Sequence, residues 1–231
     1  MRYIPLHCHS TFSFNAGVTA VPDLVSHAHE LGMGALALTD TDRVSGLITF
    51  YLECRKRGIK PILGLELTSS RDPAEHVVLL AKNAAGYGDL CEIVTRRQVG
   101  AAKFNLDETF SRHWPDLILL TSFPHLLQML AGTPNRTNLV GELINNSRQT
   151  RERSRRLEHA ATALQVPLVA ANNSFFNFPE DWETHRILRA IGLNSTLSRL
   201  NSSEVVPPAA HFRSAAEMDK AFPSHREALA F

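Results

Sequence analysis

The chain has 231 residues, of which 44% are hydrophobic, with 24 Lys and Arg against 23 Asp and Glu. This size and apolar content predict one large globular domain or two small ones and exclude a disordered segment. The formal charge of +1 gives neither the basic excess of a nucleic-acid-binding surface nor an acidic tail. Three scattered cysteines without CxxC spacing, and no long apolar run, predict a cytoplasmic protein with no disulfide framework and no membrane partner.

Short apolar runs alternate with amphipathic stretches from the N-terminus to about position 192. The runs predict seven strands, bounded by Gly, Pro or Asp, at residues 3–6, 35–39, 61–67, 76–81, 117–121, 138–143 and 167–171. The stretches between them predict helices at residues 21–31, 45–57, 86–97, 123–130 and 149–164. Because strands and helices alternate, we expect a largely parallel α/β sheet with functional side chains where the strands end.

The C-terminal part of the chain has a different composition. A Ser/Asn cluster and Pro207-Pro208 predict an extended surface segment over residues 194–211, followed by a short helix over residues 214–221. We interpret this part as a strap on a single domain, with a barrel over about residues 1–192 and the strap over about residues 193–231.

A candidate metal site begins at His7-Cys8-His9, directly after the first predicted strand. Side chains alternate along a strand, so His7 and His9 face the same side, where two imidazoles can bind one metal ion. Asp40 and Glu66 end two further apolar strands, and a carboxylate there needs a cation or hydrogen bonds to offset its desolvation. The plainer interpretation makes Asp40 a helix or turn cap and Glu66 the partner of an arginine, and position alone leaves both open.

A series of segments follows an order typical of one known family. The segments are His7-Cys8-His9-Ser10-Thr11-Phe12-Ser13-Phe14 and residues 31–40, 58–66, 76–83, 86–91, 166–172 and 214–229. Together they resemble the PHP (polymerase and histidinol phosphatase) domain, in the form found at the N-terminus of the bacterial DNA polymerase III alpha subunit and its error-prone relatives. The resemblance covers nearly the whole chain.

The resemblance implies a fold, a site and a reaction. The fold is a distorted seven-stranded βα barrel with up to three divalent metals at the C-terminal ends of the strands. Active members hydrolyse phosphoester bonds with a metal-bound water. Residue by residue, the family's ligands correspond to His7, His9, Glu66 and His76, while Asp40 corresponds to an aspartate that orients a ligand rather than binding metal.

Several expected ligand positions carry other residues in this chain. Ala16 stands where the family has an aspartate, Thr41 where it has a histidine, and Phe123 where it has a cysteine or histidine, while Ser174 and Phe176 replace an Asp-x-His pair. Neither alanine nor phenylalanine binds a metal. These differences argue against a three-metal cluster and predict one zinc, manganese or magnesium ion, held loosely or not at all, with phenylalanines such as Phe176 filling the space of the lost metals.

Two functions remain open from the sequence. The favoured hypothesis is a noncatalytic or weakly catalytic accessory domain of a DNA polymerase III alpha-type protein, in replication or repair synthesis. Its partners would be the polymerase core of the same chain or complex and a proofreading subunit, with only indirect DNA contact. The alternative is a metal-dependent phosphoesterase or 3'-5' exonuclease with a reduced cluster. A free-standing chain without a polymerase is a third possibility, and whether the domain is an enzyme stays open.

Overall fold

The computed structural model describes residues 3–100 and 104–229. Its centre is a six-stranded sheet whose strands lie side by side in chain order. The strands are β1 (Ala35–Leu38), β2 (Lys60–Thr68), β3 (His76–Ala81), β4 (Leu117–Thr121), β5 (Leu139–Ile144) and β6 (Leu168–Ala171). An α/β fold is thus confirmed. In the described part of the chain, no helix is long and apolar enough to cross a membrane.

Eight α-helices connect and flank these strands among the described residues. They are α1 (Val21–Glu30), α2 (Leu47–Lys56), α3 (Ala84–Val99), α4 (Leu106–Ser111), α5 (Pro124–Ala131), α6 (Arg148–Leu164), α7 (Trp182–Gly192) and α8 (Ala215–Ala221). The ends have local causes: Asn83 and Ser147 cap α3 and α6 through their side chains, and Gly58 follows α2 with a φ of 70°. The five helices predicted between strands are therefore confirmed, whereas α4 was not predicted.

Strand direction differs from the prediction at β3. The pairs β1–β2, β4–β5 and β5–β6 are parallel, but β3 is antiparallel to both of its neighbours. Only residues 69–75 separate β2 from β3, and a parallel crossover needs a longer connection. The prediction of parallel neighbours is therefore wrong for β3.

The predicted first strand, residues 3–6, is not among the six strands. Residues 5–9 still form backbone hydrogen bonds at both edges of the sheet. On the β1 side, Ala37 N donates to Pro5 O and Thr39 N donates to Cys8 O. After β6, Ser174 N donates to His7 O. Pro5 has no N–H to give to a ladder, so the segment forms separate hydrogen bonds and a single bridge between Cys8 and Ser174. Seven strands are thus not confirmed, although residues 5–9 link β1 to the segment that follows β6.

The C-terminal segment contributes to the core more than predicted. Residues 194–209 are exposed or half-buried, as expected for a surface segment. The chain then returns to the main apolar core through Phe212, Met218, Phe222 and Leu229, all of which are buried. Residues 194–209 therefore lie at the surface as predicted, whereas the residues that follow them pack into the core.

Candidate metal centre

The four predicted ligands come together at one end of the sheet. Glu66 Oε2 lies 3.0 Å from His7 Nε2, 3.7 Å from His9 Nε2 and 3.5 Å from His76 Nδ1. The ring centroid of His7 is 5.1 Å from that of His9 and 5.4 Å from that of His76. All four side chains are buried. The structure therefore assembles the residues that the sequence selected, while metal binding by them stays a prediction.

The antiparallel direction of β3 is what brings His76 into this group. Glu66 lies near the end of β2 and His76 opens β3, with Thr68 opposite His76 in the register. A parallel β3 would have placed its first residue at the other end of the sheet from Glu66. His76 therefore lies beside Glu66 because β3 is antiparallel to β2, and not parallel as predicted.

Glu142 is a member of the site that the sequence analysis did not select. It lies in β5 with 0% of its surface exposed, and its Oε1 is 2.7 Å from His7 Nδ1. A signal was present, because Glu142 is the one charged residue of the strand Leu139–Ile144. A lone carboxylate in a buried strand needs a partner. Here His7 supplies it and lies between two carboxylates, Glu142 and Glu66.

Asp40 orients His9 through Ser13. The carboxylate of Asp40 accepts hydrogen bonds from Ser10 N, Ser10 Oγ and Ser13 Oγ, each 2.7 Å long. Because the single hydroxyl proton of Ser13 goes to Asp40, the 2.8 Å contact between His9 Nδ1 and Ser13 Oγ has the histidine as donor. His9 therefore carries its proton on Nδ1, and the lone pair of its Nε2 faces two acceptor oxygens, Asn173 Oδ1 and Glu66 Oε2. This arrangement agrees with the orienting role expected for Asp40.

Two polar neighbours complete the Glu66 side of the centre. Thr41 Oγ1 donates to Glu66 Oε1 over 2.8 Å, so the residue that replaces an expected histidine holds the carboxylate instead. Asn173 Oδ1 lies 3.0 Å from His9 Nε2. Asn173 has a φ of 52°, a left-handed conformation that asparagine tolerates better than most residues. Sequence reasoning did not select Asn173, since no periodic pattern marks it.

Aromatic rings pack against two of the histidines. Phe123 meets His76 edge-on at 5.2 Å, and Phe175 stacks on His9 at 3.9 Å. That Phe176 fills the space of a lost metal stays a prediction. Phe176 lies with Phe175 and Ala210 in a separate apolar cluster that Ala16, Val18, Trp182 and Val206 border.

The charges of the centre are strongly coupled. Burial opposes protonation of His7, but Glu142 and Glu66 outweigh it and raise the pKa of His7 to about 10. Burial lowers the pKa of His9 to about 3, against the attraction of Glu66, and it also lowers the pKa of His76. Burial acts against ionisation of Glu66, yet His76, His9 and His7 hold its pKa well below the usual range. Without a metal, His7 is therefore an imidazolium between two carboxylates.

The donor set fits one divalent ion. Two groups of three residues have ligand atoms within 4.8 Å of one another: His7, His9 and Glu66, and His7, His76 and Glu142. His76 Nδ1 lies 3.2 Å from Ala74 O, which fixes its proton there and leaves Nε2 as a buried lone pair. Imidazole nitrogens with one carboxylate are ligands that Zn²⁺ accepts. Of the residues at the other expected ligand positions, Ala16, Phe123 and Phe176 have no metal-binding atom, and Thr41 and Ser174 offer hydroxyl oxygens.

Comparison with known proteins places the chain in a family. The PHP domain family model matches residues 5–165, so the chain belongs to the PHP domain family. An error-prone DNA polymerase of Bordetella parapertussis is 28% identical over 96% of this chain and 23% of its own length. The DNA polymerase III subunit alpha of Vibrio cholerae is 30% identical over 99% of this chain and 22% of its own length.

The chain therefore spans less than a quarter of the length of these curated relatives. A solved structure described as an amidohydrolase from Chromobacterium violaceum, with bound sulfate and no metal, resembles the fold with a TM-score of 0.51. It is 15% identical, and the match covers 75% of this chain and 87% of that one. This likeness concerns the fold alone.

Proposed function

We propose that this chain is the PHP domain of a bacterial DNA polymerase of the polymerase III alpha or error-prone type, with a structural role beside the polymerase core. Alignment with both kinds of polymerase over 96% and 99% of the chain supports the assignment. The family's seven-stranded barrel remains our interpretation of the fold. It is supported by the hydrogen bonds that residues 5–9 make with β1 and with Ser174.

One observation carries the proposal that hydrolysis is lost. The positions from which further metal ligands would come have other contacts: Thr41 donates to Glu66, and Phe123 packs on His76. A nucleophilic water at a phosphoester needs activation and charge neutralisation, which multinuclear sites provide with several cations. With the other ligand positions substituted, we expect the remaining ligands to bind one zinc, manganese or magnesium ion, and to bind it weakly.

Either His7, His9 and Glu66, or His7, His76 and Glu142, would hold such an ion. When bound, it would supply Lewis acidity to a water or a phosphate oxygen. Hydrogen bonds within the chain orient the ligands. Asp40 and Ser13 keep the proton of His9 on Nδ1, and Thr41 donates to Glu66 and holds its carboxylate in place. These contacts keep the pocket in shape with or without an ion.

Hydrolysis assays test the loss of activity. Purified protein is incubated with an aryl phosphate and with single-stranded DNA, each with manganese or zinc, and His9→Ala serves as the matched variant. We expect no turnover above that of His9→Ala. Robust turnover that His9→Ala abolishes would establish the competing function, a metal-dependent phosphoesterase or 3'-5' exonuclease. The observation that favours this alternative is that His76 Nε2 and Glu142 Oε2 are buried and have no hydrogen-bond partner among the described residues.

The structural role is tested in the parent polymerase. We expect removal of this domain to lower the thermal stability or the assembly of the polymerase, and copurification with a proofreading subunit to depend on the domain. A polymerase that is equally stable and equally assembled without it would contradict the proposed role.

A further inference from the structure

Helix α6 is strongly basic, whereas the rest of the chain is not. The helix contains five arginines against two glutamates. The whole chain has 24 Lys and Arg against 23 Asp and Glu, so the residues outside α6 have 19 basic against 21 acidic side chains. The small overall charge therefore hides a basic helix on a slightly acidic remainder, and it does not exclude a local surface for a polyanion.

Both glutamates of α6 already have partners. Glu152 Oε1 is 2.9 Å from Arg148 Nε, and Glu158 Oε1 is 3.1 Å from His225 Nε2. The other four arginines of the helix form no ion pair with any described residue: Arg151, Arg153, Arg155 and Arg156. Four guanidinium groups within six consecutive residues are thus available to an external anion.

These positive charges act against the stability of the free helix. The first turn of α6 has no acidic residue, and positive charge near the start of a helix is unfavourable. Arg151 and Arg155 are also four residues apart, a spacing at which like charges on a helix repel. A polyanion bound to the arginines would offset both effects, so the charges become favourable when an anion is bound.

The exposed face of α6 suits a nucleic acid better than a protein. Arg151, Arg155 and Arg156 are exposed, and all residues of α6 are described, yet none of them is a large exposed apolar residue. Protein interfaces usually have apolar or aromatic side chains at their centre. Guanidinium groups without such an anchor match a phosphodiester backbone, which they bind through charge-assisted hydrogen bonds.

Arg153 connects this surface to the candidate metal centre. Its Cζ lies 4.2 Å from the ring centroid of Phe123, and the ring of Phe123 meets His76 edge-on at 5.2 Å. The Nε of Arg153 is buried and has no hydrogen-bond partner among the described residues. A DNA strand bound along α6 would therefore pass beside the centre.

We propose that Arg151, Arg153, Arg155 and Arg156 form a contact surface for the phosphates of single-stranded DNA. The helix rise places the four residues within about 8 Å along the axis, which matches neighbouring phosphates of one strand. This contact is direct, whereas the sequence predicts only indirect contact with DNA. It goes beyond the proposed structural role, and it needs neither a metal nor hydrolysis.

DNA binding by two variants of equal charge tests this surface. Fluorescence anisotropy follows the binding of a labelled oligothymidylate at several salt concentrations, with chelator present. The first variant replaces three exposed arginines of α6: Arg151→Gln, Arg155→Gln and Arg156→Gln. The control makes the same change in net charge at three exposed arginines outside the helix: Arg55→Gln, Arg71→Gln and Arg199→Gln.

We expect the α6 variant to bind the DNA at least about tenfold more weakly than the wild type at low salt. Its slope of log affinity against log salt concentration should be smaller by about 2, because three phosphate contacts are lost. The control should change the affinity by less than about threefold and keep the slope of the wild type. Equal losses in both variants, or no DNA binding by the wild type at about 50 mM salt, would overturn the inference.

Competition with polyglutamate separates a DNA surface from a surface for an acidic protein. We expect polyglutamate to displace the DNA only when its carboxylates greatly outnumber the phosphates. Displacement at equal numbers of charges would overturn the inference in favour of an acidic protein partner. None of these results bears on the loss of hydrolysis, which the phosphate and DNA assays decide separately.

Discussion

At the scale of single residues, the centre depends on how protons are distributed among three histidines. His7 contacts two carboxylates, whereas Nδ1 of His9 is committed to Ser13 and Nδ1 of His76 to Ala74 O. Folding therefore changes the affinity of these histidines for protons in opposite directions. The pH dependence of stability is a direct consequence.

The first prediction concerns that pH dependence in metal-free protein. The pKa of His7 rises from 6.5 to about 10, so its stabilising contribution is complete below about pH 6.5 and is lost as the pH rises toward 10. The pKa of His9 falls from 6.5 to about 3, so stability is lost as the pH falls from about 6.5 toward 3. We expect the free energy of unfolding, measured with urea and chelator, to be greatest near pH 6.5.

Substitutions separate the two limbs of this profile. His7→Gln should remove the decline between about pH 6.5 and 9, which amounts to at most about 1.4 kcal/mol per pH unit. His9→Asn should make the acid decline shallower without abolishing it, because the low pKa of Glu66 also makes stability fall with falling pH. The exposed His159 on α6 offers a control, since His159→Gln should leave the profile unchanged. A wild-type profile that is flat between about pH 6.5 and 9 would contradict the assignment of charge to His7.

The second prediction concerns Phe176, the position where the family has a histidine ligand. Only 2% of Phe176 is exposed, and its ring packs in an apolar cluster with Phe175 and Ala210. Phe176→His should lower the free energy of unfolding by about 3–5 kcal/mol, through lost packing and a buried polar ring, with no gain in zinc affinity. Phe178→His is the matched control, because Phe178 is 51% exposed and its substitution should cost less than about 1 kcal/mol. Tighter zinc binding by Phe176→His would show that the pocket extends to this position.

At the scale of secondary-structure elements, α6 is tied to the end of the strand that carries Glu142. Ser154 is the seventh residue of the helix, and its Oγ both donates to Ile144 O and accepts from Ile144 N, each over 3.0 Å. These backbone groups close β5 just after Glu142. Ser154 therefore sets the distance between the helix and the strand.

The third prediction follows from this pair of hydrogen bonds. Ser154→Ala leaves a buried N–H and a buried C=O without their partner, which should lower the free energy of unfolding by about 1–3 kcal/mol. Thr162→Ala, on an exposed turn of the same helix, should change it by less than about 0.5 kcal/mol. Urea denaturation of both variants checks the difference. Equal effects would mean that the contact with Ile144 does not hold α6 in place.

Most elements could be predicted because their signals are local. Apolar periodicity and residues such as Asn83, Ser147 and Gly58 locate the helices between strands to within one or two residues. Strand direction is not a local property, so the alternation of strands and helices gave a wrong prediction of a parallel β3. The short connection at residues 69–75 was the usable signal.

Some residues of the site could likewise be predicted from the sequence, and others could not. His7, His9, Glu66 and His76 could be predicted because each begins or ends an apolar run, and the resemblance to a family selected them. Glu142 could have been recognised as a lone carboxylate in a buried strand. The roles of Ser13 and Asn173 depend on loop conformation, including a positive φ at Asn173, and no sequence pattern specified it.

At the scale of the whole molecule, the centre is held by the chain at several distant points. His7 and His9 follow the N-terminal segment, Glu142 belongs to β5, and the segment after β6 contributes Asn173. The C-terminal segment supports that last region, because Phe175 N donates to Ala210 O and Phe212 N to Phe176 O. Backbone pairing and apolar packing therefore hold together the segments that form the pocket.

The last prediction is that stability depends little on metal. Chelation of the purified domain should lower its thermal midpoint by less than about 3 °C, because a loosely held ion contributes little free energy. A tightly held ion behaves differently: at a thousand times its dissociation constant it stabilises by about 4 kcal/mol, which is about 8–16 °C for a domain of this size. Glu142→Gln with and without chelator is the control, since its response should be smaller than that of the wild type. A wild-type midpoint that falls by 8 °C or more on chelation would mean that the ion is part of the fold, and it would favour the phosphoesterase over the structural role.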